Sequence, residues 1–239
     1  MRKSAIAAIA VTAAVLAAAG CEGDAVTDTG KGGAEDKPAA KKVPASEAVL
    51  DKGQVKAALL SKADGLKGFE YRPIDKMLLK DESTPRTEPA GCRALEASSL
   101  YSLRKEPRPV AFAGVNVSVE KQVNSVRIES YRGDGARQMM TGLKKAVAEC
   151  AGGYGVGPKV KIKQVKTLPA PQAGEEAIAF NLSGSVESFR IDLSKTVVRI
   201  GHAVVIYNHP AGSQGKSPSP GLVEAQNKKL EKALASTTE

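Results

Sequence analysis

Catalytic chemistry has few places to sit in this sequence. The only histidines are His202 and His209, and no set of His, Cys and acidic residues has the spacing of converging metal ligands. His202 falls within an apolar alternation and reads as a strand residue. His209 precedes Pro210 and reads as part of a turn. Ser-x-x-Lys occurs at Ser102/Lys105 and at Ser213/Lys216. A β-lactamase-type nucleophile also needs Ser-Asp-Asn and Lys-Thr-Gly elements, which the chain lacks. The run from Gly152 to Gly157, GGYGVG, has the look of a phosphate loop. It follows a helical stretch, whereas anion-binding loops precede a helix and aim its first N–H groups at the ligand. It therefore reads as a helix stop. Arg132-Gly133-Asp134 reads as the start of a helix capped by Asp134. No catalytic residue, metal or cofactor is expected.

The cysteines are more informative. There are three, Cys21, Cys92 and Cys150, so one lacks a partner within the chain. Arg2 and Lys3 precede an almost wholly apolar run from Ser4 to Ala19. That is the charge and length pattern of a secretory signal peptide, and it falls short of the ~20 apolar residues of a membrane span. The run ends in Ala18-Ala19-Gly20-Cys21, which resembles the bacterial lipobox, with Ala18 where Leu is usual. The resemblance implies that Cys21 is lipidated on sulfur and, after cleavage, acylated on its freed amine. A plain secreted protein with a free thiol and a retained span are the other readings. One acyl chain holds only marginally, at about 0.8 kcal/mol per buried methylene, so two or three chains make release slow. The expectation is a cleaved signal over residues 1–20 and a lipid-anchored linker over 21–46. The domain over 47–239 would then sit at the extracytoplasmic face of the cell membrane. Outside the cytoplasm, Cys92 and Cys150 are expected to pair. Closing that loop is worth about 4 kcal/mol in the chain-entropy model.

Residues 22–46 are rich in Gly, Ala, Thr, Asp and Lys, and Val26 and Val43 are their only sizeable apolar side chains. Such a stretch cannot offset its chain entropy by burial and reads as a flexible stalk. The whole chain carries a formal +9. Without the signal and the stalk the domain keeps about +8, which favours either solubility or anionic partners. An anchored, exported domain makes nucleic acid an unexpected partner; lipid head groups and cell-wall polymers fit better. Lys159, Lys161 and Lys163 alternate with Val160 and Ile162, so one strand would present a basic face. Lysines guard an exposed sheet edge against aggregation, or they form an anionic-surface contact.

Periodicity places these residues on elements. Asp51 and Gln54 spell a capping box, with Val55, Ala58 and Leu59 on one helical face and Gly65 as the stop. Gly68 to Tyr71 reads as a strand, 74–91 as mostly loop, and Cys92 to Leu103 as a short helix with Cys92, Leu95 and Ser99 inward. Ala113, Val115, Val117 and Val119 alternate with polar residues, as do Val126 and Ile128, which predicts half-buried strands. Met140, Leu143, Val147 and Cys150 form one helical stripe. Ile178, Phe180 and Leu182, and then Phe189, Ile191 and Leu193, predict further strands. Thr196 to Tyr207 reads as either a hairpin or one long strand with Gly201 at a bulge, and the bulge is favoured because no two-residue hairpin turn is spelled there. Leu222, Val223, Gln226, Leu230 and Ala233 predict a terminal helix. The sum is α+β: an antiparallel β-sheet with helices on one face and one disulfide, a single domain behind a stalk.

The stretch AALLSKADGLKGF (57–69), the Cys92 segment, SYRGDGARQMMTGLKKAVAEC (130–150), GEEAIAF (174–180) and VVRIGHAVV (197–205) resemble actinobacterial lipoproteins. Those carry a domain similar to the extracellular sensor domain of the mycobacterial kinase PknH. The resemblance implies an antiparallel sheet with helices around a cleft, and a role in extracytoplasmic sensing or ligand binding. It carries over only Cys92 and Cys150, as the bridge. The expected function is a tethered, non-enzymatic sensor or signalling regulator, with an envelope ligand or a membrane signalling protein as partner. The alternatives are a lipid or glycolipid carrier, which needs a large apolar cavity, and an enzyme, which needs polar groups with shifted pKa values converging in one cleft.

Overall fold

The structure, a computed structural model, describes residues 47–74, 86–97, 107–119, 122–210 and 218–237. The signal, the stalk, Cys21 and both Ser-x-x-Lys pairs lie outside the described residues. Nine described strands form one antiparallel sheet. They are β1 (Glu70–Pro73), β2 (Thr87–Glu88), β3 (Ala111–Val119), β4 (Gln122–Ser130), β5 (Tyr154–Val156), β6 (Val160–Leu168), β7 (Glu176–Val186), β8 (Phe189–Ile200) and β9 (Ala203–Pro210). Their order is β1-β3-β4-β9-β8-β7-β6-β5-β2. The helices are α1 (Lys52–Ala58), α2 (Arg93–Ala97), α3 (Gly135–Glu149) and α4 (Pro220–Ser236). The fold class is the expected one, α+β.

Helices cover both faces of the sheet, not one. Val126, Ile128, Val198, Val205 and Tyr207 pack with α1 and α4 through Val55, Ala58, Leu222 and Leu230. Their strand neighbours Val197, Val204 and Ile206 point the other way and pack with α2 and α3 through Leu95, Met140, Leu143 and Val147. Alternation therefore does not mean a wet face. Arg127 and Glu129 look like solvent residues alternating with Val126 and Ile128, yet both are fully buried, with Arg127 Nη2 2.5 Å from Glu129 Oε1. Tyr131 completes the row by donating its hydroxyl to Glu129 Oε2 at 2.6 Å. Ions can lie inside because they carry their own partners with them.

The capping box forms as expected: Gln54 N–H donates to Asp51 Oδ1, and Asp51 N–H donates to Gln54 Oε1, both at 2.8 Å. The helix ends earlier than Gly65, at Ala58. Gln226 of α4 explains this. Its Nε2 donates to Ala58 O (2.8 Å) and its Oε1 accepts from Leu60 N (3.0 Å), which holds the chain out of helix while Leu59 and Leu60 sink into the core. Asp134 occupies the cap position of α3, but its side chain makes no cap hydrogen bond and instead faces Arg137 at 3.6 Å.

The largest departure lies between β8 and β9. Gly201 and His202 are the two turn residues of a tight hairpin, with Ile200 opposite Ala203. Gly201 has φ 56° and His202 does not have positive φ, as in a turn with Gly at its first central position. The two histidines thus exchange their expected roles. His202 lies in a turn, while His209 lies in β9, buried, with Nδ1 against Asn124 Oδ1. Cys92 and Cys150 are bonded, with Cα atoms 5.9 Å apart. The bridge ties the short turn before α2 to the end of α3, a useful restraint on a five-residue helix.

Candidate functional site

The β6–β7 connection, Pro169-Ala170-Pro171-Gln172-Ala173-Gly174, stands across from α4. Two prolines stiffen it by fixing φ. Gly174 anchors its end: φ is +61°, and a Cβ there would lie 2.4 Å from Arg199 O. Only glycine lets the segment enter β7 this close to β8. On the other side, Ser219 caps α4 by accepting from Leu222 N at 3.3 Å, and Pro220 opens the helix. Between these walls lies an open cleft of about 730 Å³.

The base of the cleft is polar. Thr196 of β8 pairs across the sheet with Tyr207 of β9. The Tyr207 hydroxyl donates to Asn227 Oδ1 of α4 at 2.7 Å. Burial holds that phenol well above its usual pKa, so it stays a proton donor. Asn227 is 5% exposed, and its Nδ2 has no hydrogen-bond partner. Amide orientation is an assignment; turning the group over exchanges a spare donor for a spare acceptor. One polar atom meets Tyr207 and the other is left over, at a cost of about 1–3 kcal/mol when buried. The rim carries Glu224, Lys228 and Glu231 from α4.

A second concavity, of about 770 Å³, lies at the β8–β9 turn and is lined by Glu47, Arg132, Asp134, Arg137, Glu175, Arg199 and His202. Its central charges are already partnered. Arg199 Nη1 meets Glu175 Oε2 at 2.5 Å, and Arg199 Nε meets Glu176 Oε2 at 3.2 Å. Lys144 of α3 reaches Glu176 Oε1 at 2.6 Å. Glu175 Oε1 also accepts from Gly201 N at 2.8 Å. Burial would raise both carboxyls, but these hydrogen bonds outweigh it and hold them below the ordinary range. That direction suits structural anions and is wrong for a general acid, which needs a raised pKa.

The three lysines do not form one continuous face. All three are exposed. Lys159 precedes β6 and pairs with Glu187 at 2.7 Å. Lys163 is the extra residue where the register shifts between Ile162 and Gln164. Nor is β6 an edge there, since β5 pairs with Val160 to Ile162. Among the described residues no His, Cys, Asp and Glu side chains group as metal ligands, and no helix is long and apolar enough to cross a membrane. Asn227 was not among the residues expected from the sequence, although a signal was present. It lies four residues after Val223 and three before Leu230, on the buried stripe.

No protein-family model matches the chain, and neither does any curated protein. Among solved structures, the crystal structure of the extracellular domain of PknH from Mycobacterium tuberculosis matches with 13% identity and a TM-score of 0.51, over 78% of this chain and 98% of that one. An uncharacterised Mycobacterium smegmatis protein, the Rv0999 ortholog, matches with 18% identity and a TM-score of 0.42, over 82% of this chain and 100% of that one. At such identity the likeness is one of fold: this chain is built on the architecture of the PknH extracellular domain, as the short sequence strings suggested.

Proposed function

We propose that the chain is a membrane-tethered, extracytoplasmic binding domain that senses a small envelope ligand without transforming it. The observation that carries this reading is the unpartnered amide of Asn227, buried at the base of a proline-walled cleft. A rigid apolar wall and a few placed polar groups are what small-molecule sites offer. The ligand hydrogen-bonds the spare end of the Asn227 amide and lays apolar surface on Pro169, Pro171 and Pro220. The tether is the acylated Cys21, and the PknH-like fold supports the sensing role. The cleft is an open groove rather than an enclosed apolar cavity, which favours sensing over lipid carriage. The charge network around Arg199 offers structure rather than catalysis.

Intact mass spectrometry of protein extracted gently from its own membrane tests this. The expected mass is the chain from Cys21 plus acyl groups, less two hydrogens for the Cys92–Cys150 bond, with a small-molecule adduct that Asn227→Leu abolishes. An uncleaved or unacylated chain contradicts the tether. An adduct indifferent to Asn227→Leu contradicts the cleft.

A further inference from the structure

Large apolar side chains that remain exposed are unevenly placed. Among the described residues they are Val110, Val123, Val186 and Phe189. The strand registers put three of them at one end of the sheet. Val186 faces Phe189 across the β7–β8 turn, and Val160 faces Val186. The start of β4, with Val123, lies at the same end, because Ser125 pairs with Asn208 near the end of β9 and Pro210 pairs with Leu193 of β8. Val110 lies at the opposite end, beside Ser130.

Phe189 is 74% exposed. It shares a face with Val186, Val160 and, further in, the half-buried Ile191 and Leu193. The reverse face of the same hairpin is basic: Arg190 lies in one cross-strand row with Ser185 and Lys161. Lys159 at the turn, Lys163 at the register shift and Lys166 further along stand exposed nearby, without making one continuous face with it. Two acids oppose these five cations. Glu187 at the turn is matched by Lys159, and Asp192 accepts from Asn181 at 2.8 Å. Arg86 and Glu88, near the neighbouring β5–β6 turn, pair with each other at 3.3 Å.

We propose that this hairpin tip is a second membrane contact, which seats Phe189 and Val186 in the interface of an anionic bilayer while Lys159, Lys161, Lys163 and Arg190 meet the head groups. A soluble anionic polymer would offer Phe189 no apolar phase, and an uncharged apolar partner would leave the cations unmatched. An anionic lipid surface supplies both, and lysine stems can lie along apolar surface while their heads stay wet. The tether reaches. Glu47 lies at the far end of the sheet, beside Arg132 and His202. The twelve residues of β8 span about 40 Å, and a linker over 21–46 can extend to roughly 85 Å.

This rests on the tethered reading, and one experiment separates the two. The chain has no tryptophan, so Phe189→Trp in the complete chain introduces a single indole reporter. Flotation with phosphatidylcholine vesicles reports the anchor; the indole emission of the Phe189→Trp variant reports the tip. The expected result is a shift to shorter wavelength, with quenching by brominated lipid, in vesicles that also contain phosphatidylglycerol and not in phosphatidylcholine alone. Lys161→Gln with Arg190→Gln should weaken that tip contact about fivefold per charge removed. An unshifted emission from Phe189→Trp on anionic vesicles would overturn the proposal, whether or not the chain floats. An equal shift from Val110→Trp would mean general adsorption and overturn it as well. A shift without vesicles that grows with protein concentration would overturn it in favour of a contact with a second copy of the chain.

Discussion

On the α2/α3 face of the sheet the polar groups include ions set beside their partners: Arg127 with Glu129, Arg199 with Glu175 and Glu176, and Lys144 with Glu176, along with the neutral pair Asn208 and Ser125. On the α1/α4 face the buried polar groups include amides and a phenol, Gln226 with two backbone groups at the end of the first helix and Tyr207 with Asn227, while the Lys229–Asp64 ion pair there is a quarter exposed. The difference has a physical consequence. A buried ion is tolerable only with its partner in place, so the ions of that face have nothing to spare for a ligand; the unpartnered oxygen there, Asn208 Oδ1, belongs to a neutral amide. A neutral amide costs far less to leave half-satisfied, so the other face can hold Asn227 with one polar atom unused. Amides rather than ions are the groups with bonding capacity left over, and of Asn208 and Asn227 it is Asn227 that lines the α4 cleft.

Substitutions should separate the faces, most strongly in the ionic one. Glu129→Gln leaves Arg127 facing a neutral group in the core and should cost about 3–5 kcal/mol in a denaturant titration; a loss below ~1 kcal/mol would mean the pair is not buried as described. Replacing Cys92 and Cys150 by Ser removes the tie between α2 and α3. It should cost about 2–4 kcal/mol, and hydrogen exchange should rise first around Arg93–Ala97. Acid should also act on the ionic face. Glu175 and Glu176 ionise below their ordinary range because their hydrogen bonds outweigh burial. A depressed folded pKa gives stability that is present above the unfolded value of about 4.3 and is lost as pH falls through the folded value. Thermal stability should therefore drop below about pH 4, and Glu176→Gln should flatten that drop. The smallest effect belongs to the α1/α4 face: Asn227→Leu should change stability by no more than about 1 kcal/mol while removing the ligand. A large loss there would make Asn227 a structural residue.

Much of the fold was legible, and the reasons are local. The Asp51/Gln54 box, the α3 stripe of Met140, Leu143 and Val147, and the alternation in β3 and β7 depend on neighbours within a few positions. Cys92 and Cys150 were legible because the third cysteine had its own explanation. What failed depended on distant partners. Arg127 and Glu129 carry outward polarity in a strand, and nothing nearby announces that helices cover both faces. Gly201-His202 turns tightly with Gly in the first central position, but a lone Gly between two apolar runs fits a bulge as well as a turn, so the hairpin read as a bulged strand. The Lys159/Lys161/Lys163 row was correct as alternation, but the register shift at Lys163 cannot be seen without the strand opposite. Asn227, the residue on which the binding reading rests, is polar, and apolar spacing alone passes over it. A polar side chain on an otherwise buried stripe was the available sign.

One spectrum compares the two faces directly. In protein labelled with ¹⁵N at asparagine, the side-chain amides of Asn227 and Asn208 report the α1/α4 and the α2/α3 face, since Asn208 Nδ2 donates to Ser125 Oγ at 3.1 Å next to the Arg127 row. Each is assigned by loss of its signal, in Asn227→Leu and Asn208→Ser. On titration with the small-molecule fraction of a cell-envelope extract, the Asn227 amide should move and saturate while the Asn208 amide stays in place. Movement of Asn208 with a stationary Asn227, or no saturable movement of Asn227, would contradict the assignment of the binding site to the α4 cleft.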